Sequence, residues 1–200
     1  MKEYKFDNDD SWLIARRGKV TGTRLKDVIV KRGTKEKLGF YELIAERLAS
    51  ADSEKDGIER GLRLEPEALL KFAEMTGKKI DTTKRLWVHD DNPDIAVSPD
   101  GSIGKNEAVE VKCLASARHL EALLTQQIPD DYEMQILQYF IVNEKLKKVY
   151  VVFYDPRISV KELHYLEVNR KDVAEQVKEF YEYQTNLLKR VDEIVTGLSF

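Results

Sequence analysis

Three residues near the centre of the sequence have the types and the spacing of a hydrolytic metal site. Asp100 lies in a Ser-Pro-Asp-Gly segment, and Glu110 and Lys112 follow within the apolar run Glu107–Cys113. Side chains alternate along a strand, so Glu110 and Lys112 share one face, where each is costly to bury without a partner. Two carboxylates can bind Mg²⁺, and a lysine can orient water or stabilise phosphate charge. The spacing therefore indicates metal-assisted phosphodiester hydrolysis.

The specificity of this signal comes from the whole arrangement and not from its parts. A Glu-x-Lys triplet alone is uninformative, because Glu3 and Lys5 also form one. An ion pair at a sheet edge is the ordinary explanation of such a triplet. A Pro-Asp-Gly turn followed by Glu-x-Lys in an apolar strand is much rarer, and it favours the catalytic interpretation.

Two further polar residues are candidates for the same site. Glu65 lies on a helix predicted over residues 60–76, where it is either a third acidic ligand or an ordinary solvent-facing glutamate. Gln135 lies four residues before Tyr139 on a predicted helix, so the two share a face. A glutamine on an apolar helix face needs a hydrogen-bond partner, although a satisfied surface amide remains the alternative.

Positive charge is concentrated near the N-terminus, although the whole chain has a formal net charge of −3. Residues 16–37 contain nine basic and two acidic side chains. Small and hydroxyl residues lie among them, and they let backbone N–H groups approach an anion: Gly18, Thr21, Gly22 and Thr23. The segment is interpreted as a phosphate-binding region. A solvated helix face with a lysine-rich loop is the alternative.

The elements that position these residues are predicted to form one α/β domain over residues 1–200. Helices are expected over residues 11–31, 40–50, 60–76, 131–142 and 170–196, and strands over residues 94–98, 107–113, 148–154 and 163–168. A helix joins the second and third strands, so these two can be parallel. Apolar residues make up 42% of the chain and charged residues 34%, which excludes a disordered or low-complexity chain.

Composition also predicts the cellular context. The single cysteine, Cys113, excludes an internal disulfide and a cysteine-cluster metal site. No run reaches the roughly 18 apolar residues of a membrane helix, and the first twelve residues are too charged for a signal peptide. The chain is therefore expected to be cytoplasmic, with no membrane partner.

The candidate residues resemble the signature of the PD-(D/E)XK nuclease superfamily, with Asp100, Glu110 and Lys112 as its acidic and basic positions. The segment Gln135–Tyr139 resembles the QxxxY motif of the RecB-like branch. The closer resemblance is to the family of lambda exonuclease and the YqaJ-type viral recombinases. It covers most of the chain through segments in matching order: 11–16, 18–23, 60–65, 98–101, 110–113, Tyr132 with Gln135, and the Tyr-Asp-Pro-Arg segment 154–157.

The resemblance implies a restriction-endonuclease-like core, with a central mixed β-sheet flanked by helices. It implies an alkaline-type, Mg²⁺-dependent, processive 5′→3′ exonuclease, with Mn²⁺ as a possible substitute. Such an enzyme degrades one strand of linear double-stranded DNA to mononucleotides and leaves a 3′ single-stranded overhang. The implied assembly is a ring-shaped homotrimer, a toroid. The implied partner is a phage single-strand annealing protein for DNA recombination, in a host bacterial cell.

The resemblance also implies roles for individual residues. The metal ligands would be Asp100, Glu110, the carbonyl of Val111 and Glu65, and Lys112 would position the attacking water. The pocket for a terminal 5′-phosphate would be formed by Arg16, Thr23, Ser98 and Gln135, with Tyr132 nearby. Thr23 stands where the lambda enzyme has serine, and the hydroxyl is kept. Charge and resemblance together favour DNA contact for the loop that begins at Arg32, although solvation is its alternative.

Two other functions remain open at this stage. Another nuclease of the superfamily, such as a restriction or structure-specific endonuclease, would cut closed circular DNA, whereas an exonuclease would leave it intact. A non-catalytic DNA-binding or assembly module would retain the fold without the chemistry. The presence of Asp100, Glu110 and Lys112 together disfavours that module.

Overall fold

The secondary structure runs from a short N-terminal strand to a long C-terminal helix. The computed structural model describes residues 1–29, 37, 40, 43, 59–114 and 116–198. Its strands are β1 (Lys2–Lys5), β2 (Arg85–Val88), β3 (Ala96–Val97), β4 (Gly101–Ile103), β5 (Glu107–Lys112), β6 (Lys148–Tyr154) and β7 (Leu163–Asn169). Its helices are α1 (Asp9–Arg16), α2 (Gly22–Val28), α3 (Glu59–Thr76), α4 (Ser116–Thr125), α5 (Asp130–Val142) and α6 (Ala174–Leu198). A 3₁₀ turn over Arg170–Asp172 precedes α6.

The central sheet is mixed, as the sequence predicted. Its order is β4-β5-β6-β7, in which β5 and β6 are parallel and the two outer pairs are antiparallel. The parallel pair is the one that the intervening helix α5 predicted, because a parallel connection needs a crossover. The last residues paired in that ladder are Lys112 and Phe153, so the candidate lysine lies at the end of the strand.

A second sheet, of order β1-β2-β3, lies outside the sequence prediction. The strand expected over residues 94–98 is only Ala96–Val97, and it pairs with β2 and not with the Glu-x-Lys strand. Strand β1 has four exposed residues and no apolar alternation, which removes the pattern that identifies a half-buried strand. It is held by antiparallel pairing with β2.

The single helix expected over residues 11–31 is two helices, α1 and α2. The break contains Gly18, whose φ of 69° lies in the left-handed region that interrupts a helix. Val20 then makes a parallel bridge to Ile95, the residue that precedes β3. Apart from residues 40 and 43, the predicted helix over 40–50 lies outside the described residues.

Strand β5 separates two layers of the core. Val109 and Val111 pack with Ala68 and Phe72 of α3 on one side. The alternate residues of the strand face α5, where Ala108 belongs to the same apolar cluster as Ile136 and Phe140 of that helix. Glu110 therefore lies between the sheet and a buried helix, as strand alternation requires.

Helix α5 is buried continuously from residue 134 to residue 142. Its two glutamines must therefore find partners within the protein. The Gln138 amide donates to the carbonyl oxygens of Val20 (2.8 Å) and Ala96 (3.3 Å) and also bonds Gln184. These bonds attach α5 to the α1–α2 connection, to β3 and to α6. In the described part of the chain, no helix is long and apolar enough to span a bilayer.

Candidate active site

The Glu110 carboxylate is the centre of a buried hydrogen-bond network. Its side chain is only 3% exposed. One carboxylate oxygen accepts hydrogen bonds from the Lys112 ammonium (2.6 Å) and from the Gln135 amide. The other accepts from the Tyr139 hydroxyl. A buried charge is tolerated when it is paired and hydrogen-bonded in this way, so strand β5 and helix α5 form one polar site inside an apolar core.

The Lys112 ammonium is held on several sides. Besides Glu110, it donates to the Gln135 amide oxygen at 2.7 Å and lies 4.6 Å from the centre of the Tyr132 ring. Burial lowers the pKa of Lys112, but the attraction of Glu110 and its hydrogen bond outweigh burial and raise the pKa above its ordinary value. The amine is therefore a fixed cation and hydrogen-bond donor in this arrangement, which suits water orientation and charge stabilisation more than proton abstraction.

Asp100 lies between β3 and β4, and its side chain meets strand β5. One of its carboxylate oxygens accepts a hydrogen bond from the Val111 backbone N–H at 2.7 Å. Burial raises the pKa of Asp100 well above its usual range, and the nearby Glu110 and Glu65 carboxylates raise it further. For Glu65, burial and then the Glu110 carboxylate raise the pKa to about 7, while Lys112 partly opposes them. The three carboxylates therefore lie close enough to repel one another.

Such mutual repulsion is what a bound divalent cation relieves. The donors present are carboxylate oxygens, with main-chain oxygens beside them, and these are the ligands that Mg²⁺ prefers. Among the described residues, however, no three His, Cys, Asp or Glu side chains converge with the geometry of a metal site. Glu110 is instead engaged by Lys112, Gln135 and Tyr139. The residues fit Mg²⁺ by chemistry, and their metal-binding roles stay a prediction.

Arg16 and Thr23 lie together on α1 and α2, beside the carboxylates. The Arg16 guanidinium is 3.5 Å from the Thr23 hydroxyl, at the outer limit of a hydrogen bond. It also lies 4.3 Å from the centre of the Trp12 ring. Burial lowers the pKa of Arg16, and the Glu110 and Asp100 carboxylates partly offset that effect. The guanidinium is thus a partly buried cation within the field of the acidic site.

Ser98 completes this side of the site. Its hydroxyl is buried and has no hydrogen-bond partner within the described structure, while its carbonyl oxygen lies 3.3 Å from the Tyr139 hydroxyl. A buried hydroxyl without a partner is costly, and a bound ligand is one way to satisfy it. This buried hydroxyl without a partner is consistent with the predicted phosphate pocket.

Gly22 allows the basic segment to approach helix α5. A Cβ atom at this position would lie 2.9 Å from Cγ of Gln135 and 3.4 Å from Cγ2 of Val97. Any other residue would therefore push α2 away from α5. The sequence predicts that Gly22 lets an anion approach the backbone. In the structure Gly22 also allows α2 to pack closely against α5 at Gln135.

The structure thus brings together nearly all the residues that the sequence singled out. Glu110, Lys112 and Gln135 are in direct contact, and Asp100, Glu65, Arg16, Thr23, Ser98 and Tyr132 surround them. Arg32 lies outside the described residues. Tyr139 received no role from the sequence, although its spacing from Gln135 placed it on the same face, and its hydroxyl binds Glu110. A cleft of about 410 Å³ beside Glu65 and Asp100 gives access to the carboxylates.

We expect the metal-free protein to lose stability as pH rises, and Glu65→Gln to reduce that loss. The folded-state pKa of Glu65 is about 7, above the ordinary value of about 4.3, so the folded state binds this proton more tightly. Its stabilising contribution is complete below the unfolded pKa and is lost as pH rises through about 7, by at most about 4 kcal/mol. Urea unfolding in EDTA at pH 5 and pH 8 measures the change in the free energy of unfolding for wild type and for Glu65→Gln. Equal pH dependence in wild type and variant would contradict the assignment.

Comparison with known proteins identifies both a family and a fold. The family profile of YqaJ-like viral recombinase domains matches residues 11–145. The structure is similar to the crystal structure of LHK-Exo, an alkaline exonuclease from Laribacter hongkongensis, with a TM-score of 0.81 at 23% identity, covering 95% of this chain and 96% of that one. A structure of LHK-Exo in complex with dAMP gives a TM-score of 0.78 at 25% identity, covering 96% and 98%.

A third solved structure has the same fold at lower identity. A phage-related exonuclease from Haemophilus somnus 129PT gives a TM-score of 0.64 at 12% identity, covering 90% of this chain and 96% of that one. A search of curated proteins finds no match. The predicted restriction-endonuclease-like fold, with its mixed sheet flanked by helices, is confirmed.

Proposed function

Since the chain belongs to the family of YqaJ-like viral recombinase domains, as its motifs predicted, we propose that it is a Mg²⁺-dependent exonuclease acting on the ends of linear double-stranded DNA. It is an enzyme of the alkaline exonuclease type, the activity by which its structural neighbour LHK-Exo is described. Its 5′→3′ direction follows from the family resemblance of its motifs. The observation that carries the proposal is the buried network in which Glu110 binds Lys112, Gln135 and Tyr139.

Each residue of the network has a definite task in phosphodiester hydrolysis. Asp100 and Glu110, with the Val111 carbonyl and Glu65, would hold Mg²⁺, which supplies Lewis-acid stabilisation of the phosphate and a more acidic water. Lys112 orients the attacking water and offers a fixed positive charge to the phosphate. Gln135 and Tyr139 hold Glu110 in place by hydrogen bonds, so its carboxylate need not reorganise during the reaction.

A phosphate-binding group next to the metal site explains end recognition. The partly buried Arg16 guanidinium, the Thr23 hydroxyl and the unpartnered Ser98 hydroxyl are donors suited to a terminal 5′-phosphate. Gln135, which accepts a hydrogen bond from the catalytic lysine, would be the member of this pocket nearest to the metal site. Anchoring the terminal phosphate there would place the next phosphodiester bond at the carboxylates, so catalysis would depend on positioning. Tyr132, beside Lys112, would contact the same end.

The wider features of the proposal rest on the family. Processive release of mononucleotides would follow from a ring-shaped homotrimer that encloses the duplex. The resulting 3′ overhang would be passed to a phage single-strand annealing protein for DNA recombination in the cytoplasm of the host bacterial cell. Light scattering tests the assembly, because an open monomer would dissociate between cuts.

One digestion experiment tests reaction type, polarity and end recognition together. The substrates are linear duplexes labelled at one end and carrying either a 5′-phosphate or a 5′-hydroxyl, with closed circular DNA as a control. We expect Mg²⁺-dependent release of mononucleotides from 5′-phosphorylated ends and an intact circle. Cleavage of the circle would instead identify an endonuclease of the same superfamily.

We expect Arg16→Ala to remove the preference for 5′-phosphorylated ends. The guanidinium supplies the positive charge of the proposed pocket, and a charge-assisted contact contributes about 1.5–3 kcal/mol, which is roughly ten- to a hundredfold in relative rate. Initial rates on phosphorylated and hydroxyl ends, measured for wild type and variant, give the ratio. Arg118→Ala is a matched control, since this exposed arginine pairs with Glu121 and Asp131. An unchanged ratio in Arg16→Ala would show that the pocket is assigned wrongly.

A further inference from the structure

The segment Tyr154–Arg157 has no role so far in the proposed phosphodiester hydrolysis. It begins at the end of β6, next to the end of β5, where the parallel ladder stops at the pair Lys112 and Phe153. The chain from Asp155 to Glu162 then forms a closed turn into β7, in which the Asp155 N–H donates to the Glu162 carbonyl at 2.9 Å. This turn therefore adjoins the point at which strand β5 leaves the sheet with its catalytic lysine.

Asp155 and Arg157 form a tight ion pair at the start of this turn. Asp155 is only 1% exposed. One of its carboxylate oxygens accepts from the Arg157 backbone N–H (3.1 Å) and from Nε (2.7 Å), and the other accepts from Nη2 (3.0 Å). This is the bidentate geometry that the planar guanidinium provides and that lysine cannot reproduce. The orientation of the guanidinium is therefore fixed by a buried partner.

The oriented guanidinium reaches the chain just beyond the end of strand β5. Its Nη2 also donates to the carbonyl oxygen of Leu114 at 3.2 Å, two residues after Lys112. A second contact lies further along, where the His119 ring nitrogen Nε2 bonds the Lys161 carbonyl at 2.8 Å. The turn is thus attached both to the connection between β5 and α4, at Leu114, and to α4 itself, at His119, although the ladder itself has already ended.

We propose that Arg157, oriented by Asp155, is a positioning residue that holds the exit of strand β5 and thereby fixes Lys112 for catalysis. This inference rests on the proposed nuclease function. The last paired residue of a strand frays unless the chain beyond it is held, and Lys112 has a long flexible stem. Its ammonium must stay on Glu110 and Gln135, at 2.6 and 2.7 Å. The bond to Leu114 restrains the backbone from which that stem starts.

The test compares three variants with wild type on 5′-phosphorylated linear duplex. Arg157→Ala removes the guanidinium. Arg157→Lys keeps the positive charge but cannot make the bidentate hydrogen bonds. Asp155→Asn removes the negative charge that orients the guanidinium. We expect each variant to lower the maximal rate of nucleotide release roughly tenfold or more, since small misplacements of catalytic groups have effects of this size. The KM for DNA should change less than twofold. Millimolar guanidinium should restore part of the rate of Arg157→Ala.

Other outcomes would overturn the proposal in distinguishable ways. A normal rate in Arg157→Lys, or a raised KM with an unchanged maximal rate in Arg157→Ala, would mean that the arginine contacts DNA phosphate through its charge. A lower melting temperature with a normal rate well below it would mean that the residue only stabilises the fold. If the rate losses of the two single variants add in the Asp155→Asn/Arg157→Ala double variant, Asp155 does not act through Arg157. Absence of nucleotide release by wild type would refute the proposed function itself.

Discussion

Lys112→Ala is expected to lower Mg²⁺-dependent nucleotide release by roughly a thousandfold, while the protein remains folded. The ammonium is the only group seen to bridge Glu110 and Gln135 among the described residues. Its loss removes both the fixed positive charge and the donor that orients water, and removal of such groups has effects of about 10²–10⁴-fold. Measurement of acid-soluble nucleotides at saturating DNA gives the rate, and circular dichroism checks the fold.

Two matched variants make this result specific to the amine. Lys112→Met keeps the apolar stem and should be as inactive as the alanine variant. Lys105→Ala removes an exposed lysine from the turn between β4 and β5 and should leave the rate unchanged. Nucleotide release by Lys112→Ala within about tenfold of wild type would remove the lysine from the mechanism, and it would favour a DNA-binding role for Lys112 instead.

Asp100→Asn is expected to abolish Mg²⁺ binding and activity together, yet to stabilise the metal-free protein. Burial and the Glu110 and Glu65 carboxylates raise the pKa of Asp100 well above its usual range, so ionisation of this carboxyl destabilises the folded state as pH rises. The neutral amide removes this repulsion, and its oxygen can still accept from the Val111 N–H. In wild type, Mg²⁺ should oppose the repulsion and raise the free energy of unfolding.

Urea unfolding at pH 8, with EDTA and with Mg²⁺, measures both halves of this prediction, and calorimetric titration with Mg²⁺ measures binding directly. The wild type should gain stability from Mg²⁺ and the variant should gain little. Asp27→Asn, at an exposed position of α2, should behave as wild type. If the variant instead binds Mg²⁺ normally, Asp100 is not a metal ligand. If it is less stable than wild type in EDTA, repulsion among the carboxylates does not destabilise the metal-free protein.

Local patterns predicted much of the site because they report on single elements. Strand alternation placed Glu110 and Lys112 on one face, and helix spacing placed Gln135 and Tyr139 on another. The helices over residues 60–76 and 131–142 agree with α3 and α5 almost to their ends. The failures are also local in origin: Gly18 divides one predicted helix into two, and the polar strand β1 has no apolar alternation to detect.

By itself, then, the sequence determined the family, the fold class and the residue types of the site, because the order of its motifs and its hydrophobic periods are properties of the chain. Only the tertiary structure decided how those residues meet. The contacts of Glu110 with Gln135 and Tyr139 join residues 25 and 29 positions apart. Their formation depends on packing α5 against β5, and no local pattern specifies that distance. The same packing sets the charge state of Lys112 and the mutual repulsion of Asp100, Glu110 and Glu65, since both depend on burial.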